Sequence, residues 1–232
     1  MRFLLQGERG LVVEFADYIN PQIFAKVRRL QRWLQENPPA GLVETVTTYR
    51  SLLLVYDPLQ NTPAALQNHV LQIDHDEPAS LEQGRVIPIP VCYGGEYGPD
   101  LAELCSLVGL SPEEVIAEHT SRDYLVYMLG FTPGFPYLGG LSPRIACPRL
   151  SSPRTLVPAG SVGIAEQQTG IYPLDSPGGW RLIGKTPLKI FDPHRQEPFL
   201  AQAGDSLHFY PIDAEEFVHL HNQHIHNQPA GR

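Results

Sequence analysis

The sequence predicts an α+β protein built in two parts, on three observations. Strand-like and helix-like patterns alternate from Gly10 to Val91, and glycine and proline then become dense. From Asp123 onward the chain breaks into short extended runs separated by turn residues. Residues 1–87 hold 10 Gly and Pro, whereas the 58 residues 130–187 hold 19, which marks a change of architecture. The first pattern reads as strands and helices in alternation, the second as a closed barrel or a sandwich.

Taken in order, "GLVVEF" (10–15) is a short apolar strand, and "NPQIFAKVRRLQRWLQEN" follows as a helix with Asn20 as cap and Pro21 at its first position. Ile23, Val27, Leu30 and Leu34 share one helical face, and "NPPAG" ends the helix. "LVETVTT" (42–48) and "SLLLVY" (51–56) read as strands. A second helix starts near Thr62-Pro63 and spaces Leu66, Val70 and Ile73 for burial. "RVIPIPV" (85–91) looks extended, and Pro88 and Pro90 confine it to an edge. The resulting order β-α-β-β-α-β is that of the ferredoxin-like unit, with the last strand shared as a candidate by the domain that follows. The expected boundaries are a ferredoxin-like domain over 1–84, a β-barrel domain over 85–225 with two helices near 99–120, and a polar tail over 226–232. The second of those helices is the best signalled, with Ser111 as cap, Pro112 next and Glu114 completing a capping box. A last helix is capped by Asp213, with Glu216 at the capping-box position.

Composition narrows the function. A net charge of −8 argues against general nucleic-acid binding, which rests on basic surface. No apolar run is long enough to span a membrane, and "MRFLLQGERG" lacks the form of a secretory signal, so a cytoplasmic protein is expected. Cys92, Cys105 and Cys147 are odd in number and lack CxxC spacing, which suggests reduced thiols. The phosphate-binding, zinc-protease and nucleophile-elbow motifs are absent. His219, His221, His224 and His226 read as a solvated terminus, and no metal is expected.

Two segments carry chemistry. Residues 130–187 hold Arg144, Arg149, Arg154, Arg181 and Lys185 against Glu166 and Asp175, a local balance of +3 inside an acidic chain. Arginine forks and glycine-rich turns together suit a small anion. "EQQTGIYPLDSPGGWRLIG" (166–184) gathers amide, hydroxyl, phenol and indole groups, the mixture of a small polar pocket. Asp175 is a general-base candidate, although a carboxylate beside such turns more often accepts from the backbone. "GFTPGFPYLGGL" (130–141) carries no charge and reads as a rigid wall.

"LGFTPGFPYLGGL", "PRL", "VPAGSVGIA" and "QTGIYPLDSPGGWRLIGKTPLKIFDP", in that order, closely resemble the signature blocks of the 5-oxoprolinase B-subunit family, also known as allophanate hydrolase subunit 1 and kinase A inhibitor. The resemblance implies a ferredoxin-like domain followed by a cyclophilin-like β-barrel. It implies partners homologous to the A and C subunits of 5-oxoprolinase, and ATP as co-substrate in opening 5-oxoproline to L-glutamate. One branch of the family implies the alternative, a binding module that inhibits a sensor histidine kinase. A prolyl isomerase role suggested by the barrel ranks below both, since fold alone does not transfer function. On this footing Arg154 and Arg181 are expected to face anionic groups, and Gln168, Thr169 and Tyr172 to orient the substrate. Phe135, Tyr137, Asp175 and Trp180 are expected in a pocket wall or an interface. Whether that pocket lies within the barrel or at a seam with the C-type partner stays open.

Overall fold

The structure, a computed structural model, describes residues 1–73 and 84–226, with side chains up to Gln223; the end of the first expected domain, His224, His226 and the polar tail fall wholly or partly outside these. The chain divides into two compact units, Met1–Gln83 and Gly84–Arg232.

In the first unit, β1 (Arg2–Gln6), β2 (Gly10–Glu14), β3 (Leu42–Thr47) and β4 (Ser51–Tyr56) form an antiparallel sheet in the order β1-β2-β4-β3. Helix α1 (Pro21–Glu36) links β2 to β3 while β4 lies between them, the split β-α-β of a ferredoxin-like arrangement. Asn20 caps α1 by accepting from the Gln22 N–H at 2.7 Å, and Thr62 caps α2 (Pro63–Val70) by accepting from Ala65. The buried face of α1 is Phe24, Ala25, Val27, Leu30 and Leu34, with Ile23 half-buried at its margin. Strand β1 is an addition to the expected order. Its largely exposed side chains lack a clear alternation, and pairing with β2, with the Arg2–Glu14 ion pair at 2.5 Å, holds it in place.

The strand expected to complete that sheet does not. β5 (Val86–Tyr93) belongs to the second unit, where it joins β6 (Asp123–Leu129), β7 (Pro136–Gly139), β9 (Ser161–Ala165), β10 (Gln168–Ile171), β12 (Arg181–Lys185) and β13 (Ser206–Ile212) in a closed barrel. Its prolines occupy a stretch of the barrel wall that has a paired strand on one side alone. β13 runs parallel along the whole of β5, but β12 pairs only with Cys92 and Tyr93, so Pro88 and Pro90 precede the stretch where a second ladder needs donors. The remaining strands, β8 (Arg154–Val157) and β11 (Ser176–Gly178), form a separate ribbon.

Ile89, Val91, Val126, Leu138, Val162, Ile164, Ile183 and Phe209 fill the barrel, each at 0% exposure. Helices α3 (Leu101–Val108) and α4 (Pro112–Thr120) add Leu104 and Val115 to the same core. The capping box on α4 is formed in both directions, Glu114 N–H to Ser111 Oγ at 3.2 Å and Ser111 N–H to Glu114 Oε2 at 2.8 Å. At the start of α5 (Ala214–His226), Asp213 accepts from the Glu216 N–H at 2.8 Å. Among the described residues no helix is long and apolar enough to cross a membrane.

Candidate functional site

The uncharged turn between β6 and β7 closes on itself. Gly130 donates to the Phe135 carbonyl at 3.1 Å, and Phe135 donates back to the Thr132 carbonyl at the same distance. This holds Phe135 inward at 2% exposure, while Phe131 stays 63% exposed with φ at +65°, a left-handed conformation costly for a bulky side chain. Phe135 becomes the hub of an aromatic cluster. The rings of Phe131, Tyr137, Tyr172 and Trp180 meet it edge to face with centroids 5.2–5.6 Å away, the arrangement aromatic quadrupoles favour.

These five rings wall a cavity of about 260 Å³, whose rim carries Arg149 and the backbone of Gly178 and Gly179. Two glycines are needed for its shape. A Cβ at Gly170 would press on both Phe135 and Trp180 at 3.0 Å, and one at Gly178 would collide with the Tyr172 hydroxyl. Burial raises the Tyr172 pKa, against the opposing pull of the Trp180 backbone and of the Arg149 and Arg154 charges. The phenol is therefore neutral at physiological pH. Arg149 is exposed, and no ion pair among the described residues involves it.

The two arginines expected to meet an anion lie elsewhere. Arg154 donates through Nη2 to Asp100 Oδ1 at 2.6 Å, and Asp100 is fixed in turn by accepting from the Leu182 N–H at 2.7 Å. Arg181, 7% exposed, donates through Nε to the Pro148 carbonyl at 3.1 Å and sets Nη1 2.8 Å from Glu103 Oε1. Both guanidinium groups are neutralised within their own unit, because a buried cation near a carboxylate pairs with it to offset desolvation. Asp175 is exposed and accepts from the Ala159 N–H at 2.7 Å, a turn-stabilising contact and not a wall of the cavity. Gln168 is half-buried at the start of β10 and does not line the cavity.

Thr169 sits in a different place again. It is fully buried, its hydroxyl donates to the Gly163 carbonyl at 3.2 Å, and it lies 2.9 Å from His119 Nε2. The Tyr93 hydroxyl is 2.8 Å from His119 Nδ1, and the Tyr124 hydroxyl donates to the His119 carbonyl. Since the Thr169 proton goes to Gly163, Nε2 carries the imidazole proton and Nδ1 accepts from Tyr93. Burial lowers the His119 pKa from 6.5 to about 3, so the ring is neutral. Among the described residues no group of three or more His, Cys, Asp and Glu is arranged to hold a metal ion.

A family model for the carboxyltransferase domain, subdomain C and D, matches residues 1–201. The chain belongs to this family. It is 43% identical to the 5-oxoprolinase B subunit of Bacillus subtilis, over 91% of this chain and 92% of that one. To the 5-oxoprolinase B subunit of Escherichia coli O157:H7 it is 42% identical, over 90% of this chain and 95% of that one. Among solved structures, TTHA0988 superposes with a TM-score of 0.79 at 40% identity, covering 89% of this chain; this chain spans 40% of that longer one. In this carboxyltransferase-domain protein the sequence-predicted residues thus separate. Phe135, Tyr137, Tyr172 and Trp180 come together around the cavity, whereas Arg154, Gln168, Thr169, Asp175 and Arg181 do not line it. The cavity is also lined by Arg149, which the sequence reading counts only within the basic group, and by Phe131, which it leaves without a role of its own. Both lie in or beside segments singled out by their composition, but only the fold distinguishes a cation with a carboxylate partner from one without.

Proposed function

We propose that the chain is the B subunit of a cytoplasmic, ATP-dependent 5-oxoprolinase, acting with partners homologous to the A and C subunits to convert 5-oxoproline to L-glutamate. The observation that carries this reading is 43% and 42% identity, over nine-tenths of the chain, to two proteins named as the B subunit of 5-oxoprolinase. The chemistry needs more than one component. A lactam carbonyl is a poor electrophile; transfer of the ATP γ-phosphoryl group to its oxygen releases ADP and activates the carbon. One water adds to that carbon and breaks the C–N bond, which frees the amine and leaves an acyl phosphate; a second water displaces phosphate from it and leaves the carboxylate of glutamate.

The residues lining the cavity include no carboxylate, imidazole or thiol, so they suit binding and orientation, not proton transfer. That fits a subunit inactive by itself. With one cation at the rim, the cavity is a poorer match for a triphosphate than for a lactam bearing a single carboxylate. Reconstitution tests the reading: the chain is mixed with its A-type and C-type partners, and glutamate and ADP are followed from 5-oxoproline and ATP. Stoichiometric release of both is expected, and no product above the control holding the two partners alone overturns it.

A further inference from the structure

We propose that the aromatic cavity of the second unit is itself the subsite for a small cyclic carboxylate, with Arg149 as the carboxylate anchor and Tyr172 as the donor to a ring carbonyl. The ligand named here, 5-oxoproline, rests on the reading just given; the ligand class rests on the cavity.

The walls are five aromatic rings, and about 260 Å³ accepts a compact ring but not an extended cofactor. Aromatic enclosures also suit cations, but this one has Arg149 at its rim and no carboxylate in its lining, so a cation is repelled. In a chain of net charge −8, the lining carries one positive charge and no negative one. Arg149 has no ion-pair partner among the described residues, unlike Arg154 and Arg181, which are held by Asp100 and Glu103. A planar guanidinium of this kind takes a carboxylate through two parallel hydrogen bonds.

Tyr172 supplies the second recognition element. It lines the cavity, and burial keeps its phenol protonated, so it can donate to an acceptor bound there. Gly178 lacks the Cβ that would occupy the space beside the hydroxyl. A ring with a carbonyl on one side and a carboxylate on the other therefore matches Tyr172 and Arg149 at once. Phe131, held exposed at the mouth in its left-handed conformation, stacks on the edge of Phe135 and narrows the entrance.

The test titrates the full chain with 5-oxoproline and with 2-pyrrolidinone, the same lactam without the carboxylate, by calorimetry. Wild type is expected to bind 5-oxoproline more tightly than 2-pyrrolidinone, and Arg149→Ala to weaken 5-oxoproline about 10-fold or more while leaving 2-pyrrolidinone unchanged. Tyr172→Phe should weaken both about 2- to 10-fold. Because Arg149 is exposed, its variant folds; circular dichroism checks this. Equal 5-oxoproline affinity in wild type and Arg149→Ala, or no binding to the chain alone, overturns the subsite. So does tighter binding of a proline-rich peptide than of 5-oxoproline, which would make the cavity a peptide dock. In the reconstituted complex, Arg149→Ala should raise the KM for 5-oxoproline about 10-fold with kcat little changed. A wild-type complex that is active and an Arg149→Ala complex with unchanged KM would sink the subsite and leave the subunit reading standing.

Discussion

Two buried aromatic regions of the second unit, one around His119 and one around Phe135, are built from similar residues and do opposite things. Around His119 every polar atom named has a partner, in the chain Tyr93, His119, Thr169, Gly163. Around Phe135 the rings meet edge to face but leave a cavity, whose lining includes Tyr172 and Arg149. A saturated network specifies a scaffold, and a lined but unsaturated one specifies a site. Thr169 and Tyr172 are three residues apart, and the distinction separates them: the first is scaffold, the second is wall.

Substitutions can break or sharpen this contrast. The largest effect is expected from His119→Ala, which leaves Tyr93 and Thr169 without their partner and opens a void, at a cost of about 3–5 kcal/mol read by urea denaturation. Gly178→Ala sets a methyl group against the Tyr172 hydroxyl; it should cost about 1–3 kcal/mol and lower ligand affinity as well, so calorimetry and denaturation move together. The pH dependence comes next. His119 is held neutral with its pKa lowered from 6.5 to about 3, so below 6.5 the unfolded chain binds a proton that the folded barrel refuses. Stability contributed by this group is intact above 6.5 and falls between 6.5 and about 3, by up to about 1.4 kcal/mol per pH unit. His119→Gln should flatten that slope in denaturation curves measured at successive pH values. The smallest stability effect belongs to Arg149→Ala, within about 0.5 kcal/mol, because the side chain is exposed and lacks an ion-pair partner among the described residues. A large stability loss in that variant would move Arg149 from site to scaffold.

Local signals in the sequence were reliable where the structure depends on local chemistry. The Ser111–Glu114 capping box and the Asn20 and Asp213 caps each involve atoms two or three residues apart, and each is formed. The aromatic wall was legible because Phe135, Tyr137, Tyr172 and Trp180 lie beside glycines that let rings approach closely. The anion contacts were not. Arg154 and Asp100 are 54 residues apart, and nothing near Arg154 in the sequence announces its partner. Strand β5 is assigned to the wrong sheet for a related reason. Its prolines report a stretch with one open side, which β12 does leave unpaired, but not which sheet the strand joins.

The parallel pairing of β5 with β13 has a consequence for how the protein comes into being. Its register joins Val86 to Ser206 and runs to Cys92 and Ile212, and the Arg85 N–H reaches Asp205 across 120 residues of chain. During synthesis the first strand of the barrel therefore waits, its apolar Ile87, Ile89 and Val91 unmatched, until the last strand has left the ribosome. Closure of so long a loop is slow and exposes strand flanks to other chains in the meantime. Protein released before residue 206 should be an aggregation-prone species, and the barrel's dependence on chaperones should rise with any slowing of translation between β12 and β13.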